Sequence, residues 1–297
     1  MHNLCTFWRA RRELNPGPTG SSLSDLDDLA EFRDFLLVDE QKSESTARSY
    51  VALVKRVWSK IEKPITVHSL RVCLKHLKAV YSRDHYALTV SALKAYIGRH
   101  KQTPQLVSTF KFLPKIVKPK IIPSKEELRR FYHALPSIKM KAYFLLTASS
   151  GLRKGEVLSL RSSEVNFKLR MLTPNNHKGS TKYCWVSFYN KEAEKILMKF
   201  RSKLTKKEEK SQKILPISSR DFKKEWKIAK KRTNLNITSK ILRDWFAEET
   251  GKLGVSDRYV DAFQGRTPKS VLARHYTDYS PEKLKEIYDK ADLKLFY

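Results

Sequence analysis

The chain has 297 residues, of which 40% are hydrophobic, and its 60 Lys and Arg residues outweigh 31 Asp and Glu residues to give a net charge of +29. A charge of this size attracts a polyanion, either nucleic acid or an anionic membrane surface. No apolar run reaches the roughly 18 residues of a membrane-spanning helix, and the N-terminus lacks the apolar core of a secretory signal. We therefore expect a soluble, cytoplasmic protein with a polyanionic partner.

The length is sufficient for two hydrophobic cores, so we expect two domains. The cysteines are too few and too scattered for a disulfide framework or a zinc site: they are Cys5, Cys73 and Cys184.

Residues 1–22 are predicted to be a flexible arm, because the runs NPGP and TGSS break regular structure. Ser24 is a candidate N-cap that opens a first helix, and helical periodicity recurs after Ser43 or Ser45, over 68–81 and over 85–99. Residues 23–115 are therefore predicted to form a small helical bundle. Its basic outer face offers Lys55 and Arg56 as candidate DNA contacts.

The segment FLPKIVKPKIIP holds three prolines and three lysines and cannot continue a helix. It predicts a linker over 116–123, in which Lys118 and Lys120 are candidate DNA contacts. Helix resumes after Ser124, which opens a second domain over 124–297.

In this second domain the hydrophobic period changes from that of a helix to two, in Val165, Phe167, Leu169 and Met171, and again in Cys184, Val186 and Phe188. The pattern predicts a three-stranded antiparallel sheet with a turn over 175–180. The predicted fold class is mainly α with a small antiparallel β-sheet.

A basic helix is predicted over 220–232, with Phe222, Trp226 and Ala229 on one face and lysines on the other. The lysines are candidate DNA contacts: Lys223, Lys227 and Lys230. The alternative is a solvated basic helix that covers the core.

Four short segments of the second domain supply five cations followed by a tyrosine, in the order Arg153, Lys178, Lys240, Arg243, Arg266 and Tyr276. A phosphodiester attacked by a phenol passes through a highly charged state, which fixed Arg and Lys donors stabilise without a metal. The set predicts an enzyme that breaks and rejoins DNA with a tyrosine nucleophile. Its chemistry requires no ATP, nucleotide cofactor or divalent ion.

Each residue of this set has a simpler structural interpretation when it is considered alone. Arg153 and Glu156 have the spacing of an ordinary helical ion pair. Lys182 competes with Lys178 for a role in the same turn, and Tyr279 competes with Tyr276, since tyrosine is ordinarily a packed aromatic with a satisfied hydroxyl.

The segments TASSGLRKGEVLSL and ITSKILRDWFAEET resemble the two signature boxes of the tyrosine recombinase family, and ARHYTDYS resembles its tyrosine segment. The resemblance extends from about residue 23 to the C-terminus and implies a helical core-binding domain plus a mixed α/β catalytic domain. It implies that Arg153 contacts the scissile phosphate, Glu156 orients Arg153, and Lys178 protonates the departing 5′ oxygen.

Two positions depart from the family pattern. Lys240 and Arg266 stand where histidine is usual, and lysine is a poorer proton acceptor than imidazole near neutral pH. Lys240 at this position resembles the integrases of archaeal viruses and plasmids.

The resemblance implies two transesterifications through a 3′-phosphotyrosyl bond and self-association on double-stranded DNA, with a tetramer in the synapse. We expect the apolar residues of 281–297 to dock on a neighbouring catalytic domain. A type IB topoisomerase and a non-catalytic DNA-binding protein are the alternative functions.

The arm carries one further signal. The peptide from Arg12 to Pro18 can be encoded by a strand whose complement contains GTTCAACTC, the pattern of a tRNA T-arm. We expect the codons for about residues 8–20 to overlap an attachment site derived from a tRNA gene, as in integrases that recombine there. An ordinary Pro-Gly arm is the alternative.

Overall fold

The computed structural model of the chain describes residues 23–112, 114, 119–175, 185–204, 211–266 and 270–296. The chain forms two compact units, Met1–Val117 and Lys118–Tyr297. The described residues are mainly helical and include one small antiparallel sheet, which confirms the predicted fold class. Among them, no helix is both long enough and apolar enough to cross a membrane.

The first unit is helical: its α-helices are α1 (Leu23–Val38), α2 (Glu44–Trp58), α3 (Val67–Val80) and α4 (Arg83–Leu93), and α4 continues as a π-helical segment over Lys94–His100. Ser43 caps α2, as the sequence predicts. The prediction for α1 is wrong by a short margin, because the helix already includes Leu23 and Ser24 lies inside it. A polar residue near a helix start does not fix the terminal residue.

Aromatic side chains form the centre of the first unit. The rings of Phe32 and Trp58 lie 5.0 and 4.8 Å from the ring of Tyr96, both edge to face. This arrangement is favourable for aromatic pairs. Lys55 and Arg56 of α2 are exposed.

The second unit packs around one buried helix. Its α-helices are α5 (Lys125–Ala134), α6 (Ile138–Ser150), α7 (Lys154–Ser159), α8 (Lys191–Arg201), α9 (Ser219–Thr233), α10 (Ser239–Lys252), α11 (Asp257–Phe263), α12 (Val271–His275) and α13 (Pro281–Ala291). Every residue from Ala142 to Ser150 of α6 is buried, and α5, α8 and α10 pack against this helix. A helix without a polar face is stable only where neighbours cover it on all sides.

Three short strands form the sheet in the order β1 (Val165–Asn166), β2 (Met171–Leu172) and β3 (Ser187–Phe188), all antiparallel. Val165 pairs with Leu172, and Met171 pairs with Phe188. The described residues therefore confirm a three-stranded sheet. The predicted turn over 175–180 lies outside the described residues beyond Asn175.

The alternation from Val165 to Met171 is not one continuous strand. The chain turns after Asn166, whose Oδ1 accepts the backbone N–H of Leu169 at 3.0 Å, and Arg170 adopts a positive φ of 50°. Asn favours such local side-chain to backbone bonds. This turn interrupts the apolar alternation.

The C-terminal segment packs on its own unit. The apolar face of α13 buries Leu284 and Tyr288, and beyond the helix Leu293 and Leu295 are each 2% exposed. These four residues are therefore covered within their own unit, and docking of the segment on a neighbouring catalytic domain stays a prediction without the support of their exposure.

Two charged residues of the same unit bind the backbone of this segment. Arg129 of α5 donates to the carbonyl oxygens of Leu295 and Phe296 at 2.8 and 2.7 Å. Glu192 of α8 accepts their N–H groups at 2.9 and 2.7 Å. The segment therefore satisfies its backbone hydrogen bonds and its apolar burial within one chain.

Candidate active site

Arg153 lies where the chain leaves α6 and enters α7. Its backbone N–H donates to Oε2 of Glu156 at 2.6 Å, and its Nη1 donates to Oε1 of the same carboxylate at 2.9 Å. The first contact is the backbone half of a capping box, and the second is a charge-assisted pair. Glu156 therefore holds both the backbone and the guanidinium of Arg153.

Arg243 projects from the first turns of α10 and is only 9% exposed. Its Nη1 donates to the carbonyl oxygen of Gly151 at 2.6 Å, and its Nη2 donates to the carbonyl oxygen of Gln264 at 2.5 Å. Gly151 ends α6 at φ 64°, and a Cβ at this position would collide with the ring of Phe246. Only glycine fits here, and its carbonyl then faces Arg243.

The peptide groups that follow α11 bring the two arginines together. Arg153 donates from Nη1 to the carbonyl oxygen of Gln264 at 3.3 Å and from Nη2 to that of Gly265 at 3.2 Å. Arg243 shares the first of these acceptors. Helices far apart in sequence therefore place their guanidiniums on one carbonyl oxygen.

Gln264 is a functional candidate that the motif comparison missed. Its side chain is fully buried, and its Nε2 donates to the backbone oxygen of Arg243 at 2.7 Å. Its Oε1 is buried and makes no hydrogen bond with any described residue. A polar residue between apolar Phe263 and the Gly265-Arg266 pair is the only signal that the sequence offers.

Arg266 and Lys240 make no hydrogen bond to Arg153, Arg243 or Gln264 among the described residues. Arg266 follows Gly265 and donates from Nη1 to Oδ1 of Asp261 at 3.2 Å, with both side chains partly exposed. Lys240 is exposed in the first turn of α10. Its spacing of three residues places it on the same side of the helix as Arg243.

The two candidate tyrosines differ in environment. Tyr276 ends α12 and is 76% exposed, whereas Tyr279 is partly buried and donates from its hydroxyl to the carbonyl oxygen of Ala273 at 2.6 Å. The ring of Tyr279 also packs edge to face on Tyr259. The Tyr279 hydroxyl is therefore engaged, while Tyr276 presents its phenol to solvent. No hydrogen bond within the described chain joins Tyr276 to the arginines.

Lys178 and the alternative Lys182 lie outside the described residues. Hydrogen bonds to Glu164 fix the chain just before them. Glu164 is buried, and its carboxylate accepts the N–H groups of Arg161 at 2.7 Å and of Asn175 at 3.0 Å. Sequence reasoning gave Glu164 no role. The structure makes it the anchor of the strand that leads into the Lys178 segment.

Helix α9 separates its apolar and basic faces as the sequence predicts. Phe222, Trp226 and Ala229 are buried, while Lys223 and Lys227 are exposed. The ammonium of Lys154 lies 3.5 Å from the ring centre of Phe222. Burial, and secondarily the charge of Lys223, lower the pKa of Lys154.

The other candidate DNA contacts of the second unit differ in their hydrogen-bond partners. Lys230 donates to Oδ1 of Asn236 at 2.6 Å, and Lys120 pairs with Oδ1 of Asp244 at the same distance. Lys118 lies outside the described residues. Among the candidate DNA contacts of the second unit that the structure describes, Lys223 and Lys227 are therefore the more accessible cations.

Comparisons with known proteins identify the family of the chain. Residues 124–283, more than half of the chain, match the phage integrase family. The chain is 26% identical over 282 residues to tyrosine recombinase XerA of Pyrococcus furiosus, which covers 89% of this chain and 94% of that protein.

Solved structures share the fold at lower identity. A lambda integrase tetramer bound to a Holliday junction has a TM-score of 0.65 and 15% identity and covers 86% of this chain and 84% of that one. The Tn1549 transposon integrase in complex with circular intermediate DNA has a TM-score of 0.61 and 12% identity, over 87% and 98% of the two chains. The chain belongs to the phage integrase family, and it is a tyrosine recombinase.

Proposed function

We propose that this chain is a site-specific integrase that cleaves and rejoins DNA through a covalent bond between Tyr276 and a 3′ phosphate. The observation that carries the proposal is the pairing of Arg153 and Arg243 on the carbonyl oxygen of Gln264. Two guanidiniums held in this way offer fixed donors to one anion. The exposed phenol of Tyr276 supplies the nucleophile.

The first chemical step forms one bond and breaks one. The Tyr276 oxygen attacks phosphorus, the bond from phosphorus to the 5′ oxygen breaks, and the phenol proton leaves. Arg153, Arg243 and Arg266 stabilise the charge on the phosphoryl oxygens. Lys178 protonates the departing 5′ oxygen, and Lys240 is the candidate acceptor of the phenol proton.

The second step is the reverse reaction with another strand. A 5′ hydroxyl attacks the phosphotyrosyl phosphorus, a new phosphodiester forms, and the phenol regains a proton. The phosphate remains a diester throughout, because each step exchanges one P–O ester bond for another, so the reaction requires no ATP, nucleotide cofactor or divalent ion.

We propose double-stranded DNA attachment sites as the substrate and a tetramer on DNA as the synaptic assembly. The net charge of +29 supports a DNA partner, and exposed cations in both units are available to contact phosphates: Lys55, Arg56, Lys223 and Lys227. The tetrameric form of the lambda integrase relative supports the assembly.

We further propose a tRNA gene as the integration site. Its support is the coding potential of the peptide from Arg12 to Pro18, which lies outside the described residues. Sequencing the gene tests this point alone. Codons that match no host tRNA gene over about a T-arm's length would refute the tRNA site and leave the recombinase proposal intact.

A covalent trap tests the main proposal. A pool of short duplexes with a randomised centre and a nick in one strand allows the cleaved fragment to diffuse away, so the covalent complex accumulates. Wild-type protein should retain DNA under denaturing conditions, and Tyr276→Phe should not. Tyr279→Phe is the matched control and should behave as wild type. Absence of a wild-type adduct would favour a non-catalytic DNA-binding protein, and strand relaxation without joining of two sites would favour a type IB topoisomerase.

A further inference from the structure

Gln264 makes a closed pair of hydrogen bonds with Arg243. Its side-chain Nε2 donates to the Arg243 backbone oxygen at 2.7 Å, and its own backbone oxygen accepts from Arg243 Nη2 at 2.5 Å. The same backbone oxygen also accepts from Arg153 Nη1 at 3.3 Å. One residue therefore joins the backbone of α10 to both guanidiniums.

The amide side chain of Gln264 is expected to destabilise the folded chain at this position. Gln264 is fully buried, and its Oε1 has no hydrogen-bond partner within the described part of the chain. A buried amide oxygen without a partner is destabilising. Its neighbour Phe263 and the nearby Phe246 are fully buried apolar residues, so an apolar side chain would suit the surroundings of Gln264 better. Among the described residues, the hydrogen bond of this amide goes to the backbone of the helix that carries Arg243.

We propose that Gln264 is a positioning residue for strand cleavage. Its amide fixes the peptide after α11 against α10, and the carbonyl of that peptide sets the separation and orientation of Arg153 and Arg243. The inference rests on the proposed function, because it assigns Gln264 a part in that chemistry. Gln264 acts on the phosphate only through the two arginines.

Gln264→Met is the informative substitution, because methionine is unbranched and of similar length but has no amide donor. We expect cleavage of a duplex recovered from the covalent trap to fall about 10- to 100-fold, because a displacement of about 1 Å in a catalytic group costs up to about 100-fold in rate. We expect the unfolding midpoint to stay the same or rise, because the unpaired oxygen is removed. Gln264→Leu should show the same two effects.

A change in the substrate distinguishes a positioning role of Gln264 from a general loss of folding. A methylphosphonate at the scissile position lacks the negative charge that the guanidiniums stabilise. The Gln264→Met defect should therefore shrink to a few-fold on this substrate, in parallel with the defect of Arg243→Ala. A loss of folding would instead lower cleavage of both substrates equally.

Thr250→Val is the matched control. It removes a buried bond from Thr250 Oγ1 to the Phe246 backbone oxygen, 2.6 Å long, on the same helix but away from the guanidiniums. It should lower stability and leave cleavage unchanged.

The outcomes separate the two proposals. Wild-type rates for Gln264→Met on the phosphodiester, or equal defects on both substrates, would overturn the positioning role while wild-type cleavage upholds the proposed function. Absence of cleavage by the wild-type protein would instead overturn the proposed function.

Discussion

Arg243 donates to the carbonyl oxygen of Gly151, so the residue that ends the central helix α6 also seats a guanidinium of the candidate site. Gly151 has φ 64° and no room for a Cβ beside Phe246. The fold and the site therefore depend on the same glycine.

Gly151→Ala should lower the free energy of unfolding by about 1–3 kcal/mol, because it combines backbone strain with a clash in the core. Cleavage should fall as well, because the Gly151 carbonyl must shift away from Arg243. Urea unfolding and covalent trapping measure the two effects. Gly155→Ala is the control, since a Cβ there meets nothing within 4 Å. A stable, fully active Gly151→Ala protein would contradict the assigned geometry.

Glu156→Gln should reduce cleavage about 10- to 100-fold with little change in DNA affinity, because the charge that orients Arg153 is lost while the shape is kept. Binding and cleavage of the same duplex are measured side by side. Glu126→Gln is the matched control: its carboxylate pairs with Arg129 at the same three-residue spacing, but at 3.8 Å and in solvent. Equal effects of the two substitutions would remove the orienting role of Glu156.

Lys178→Ala should be rescued by a substrate with sulfur in place of the bridging 5′ oxygen, because a thiolate leaves without a proton. Arg153→Ala should not be rescued. Rates on the two substrates are compared for each variant, and Lys182→Ala is tested in parallel. Rescue of Lys182→Ala alone would transfer the role of general acid to Lys182.

Leu295→Ala should lower the free energy of unfolding of the DNA-free protein by about 2–5 kcal/mol, because Leu295 is buried within its own chain. The loss should be the same at low and high protein concentration. Leu253→Ala, at a 42% exposed position, should have little effect. A loss that depends on concentration would show that another copy of the chain covers Leu295.

The sequence predicts those parts of the candidate site that depend on side-chain types and on their spacing along the chain. The spacing of Arg153 and Glu156 predicts their ion pair, and the order of the cations predicts that Arg153 and Arg243 belong together. Gln264 escapes this reasoning because its amide binds a backbone oxygen and the guanidiniums bind its own backbone carbonyl, and every residue type possesses these backbone groups. Glu164 escapes it because its partners are backbone N–H groups that only the folded chain brings to it.

Some predictions of fold details are wrong or incomplete for related reasons. Two-residue strands are too short for alternation to delimit, so the turn after Asn166 is hidden in the pattern. The apolar residues of the C-terminal segment show that a surface must cover them but not which one. The answer depends on Arg129 and Glu192, which lie far from that segment in sequence.

The most direct measurement is the mass-spectrometric location of the covalent DNA link. Cleavage after Arg274 and Lys283 releases one peptide, residues 275–283, that contains both Tyr276 and Tyr279. Fragmentation of this peptide after nuclease trimming assigns the retained nucleotide to one ring. We predict a nucleotide joined through its 3′ phosphate to Tyr276, whereas a nucleotide on Tyr279, or on no tyrosine of this peptide, would contradict the assignment of Tyr276 as the nucleophile.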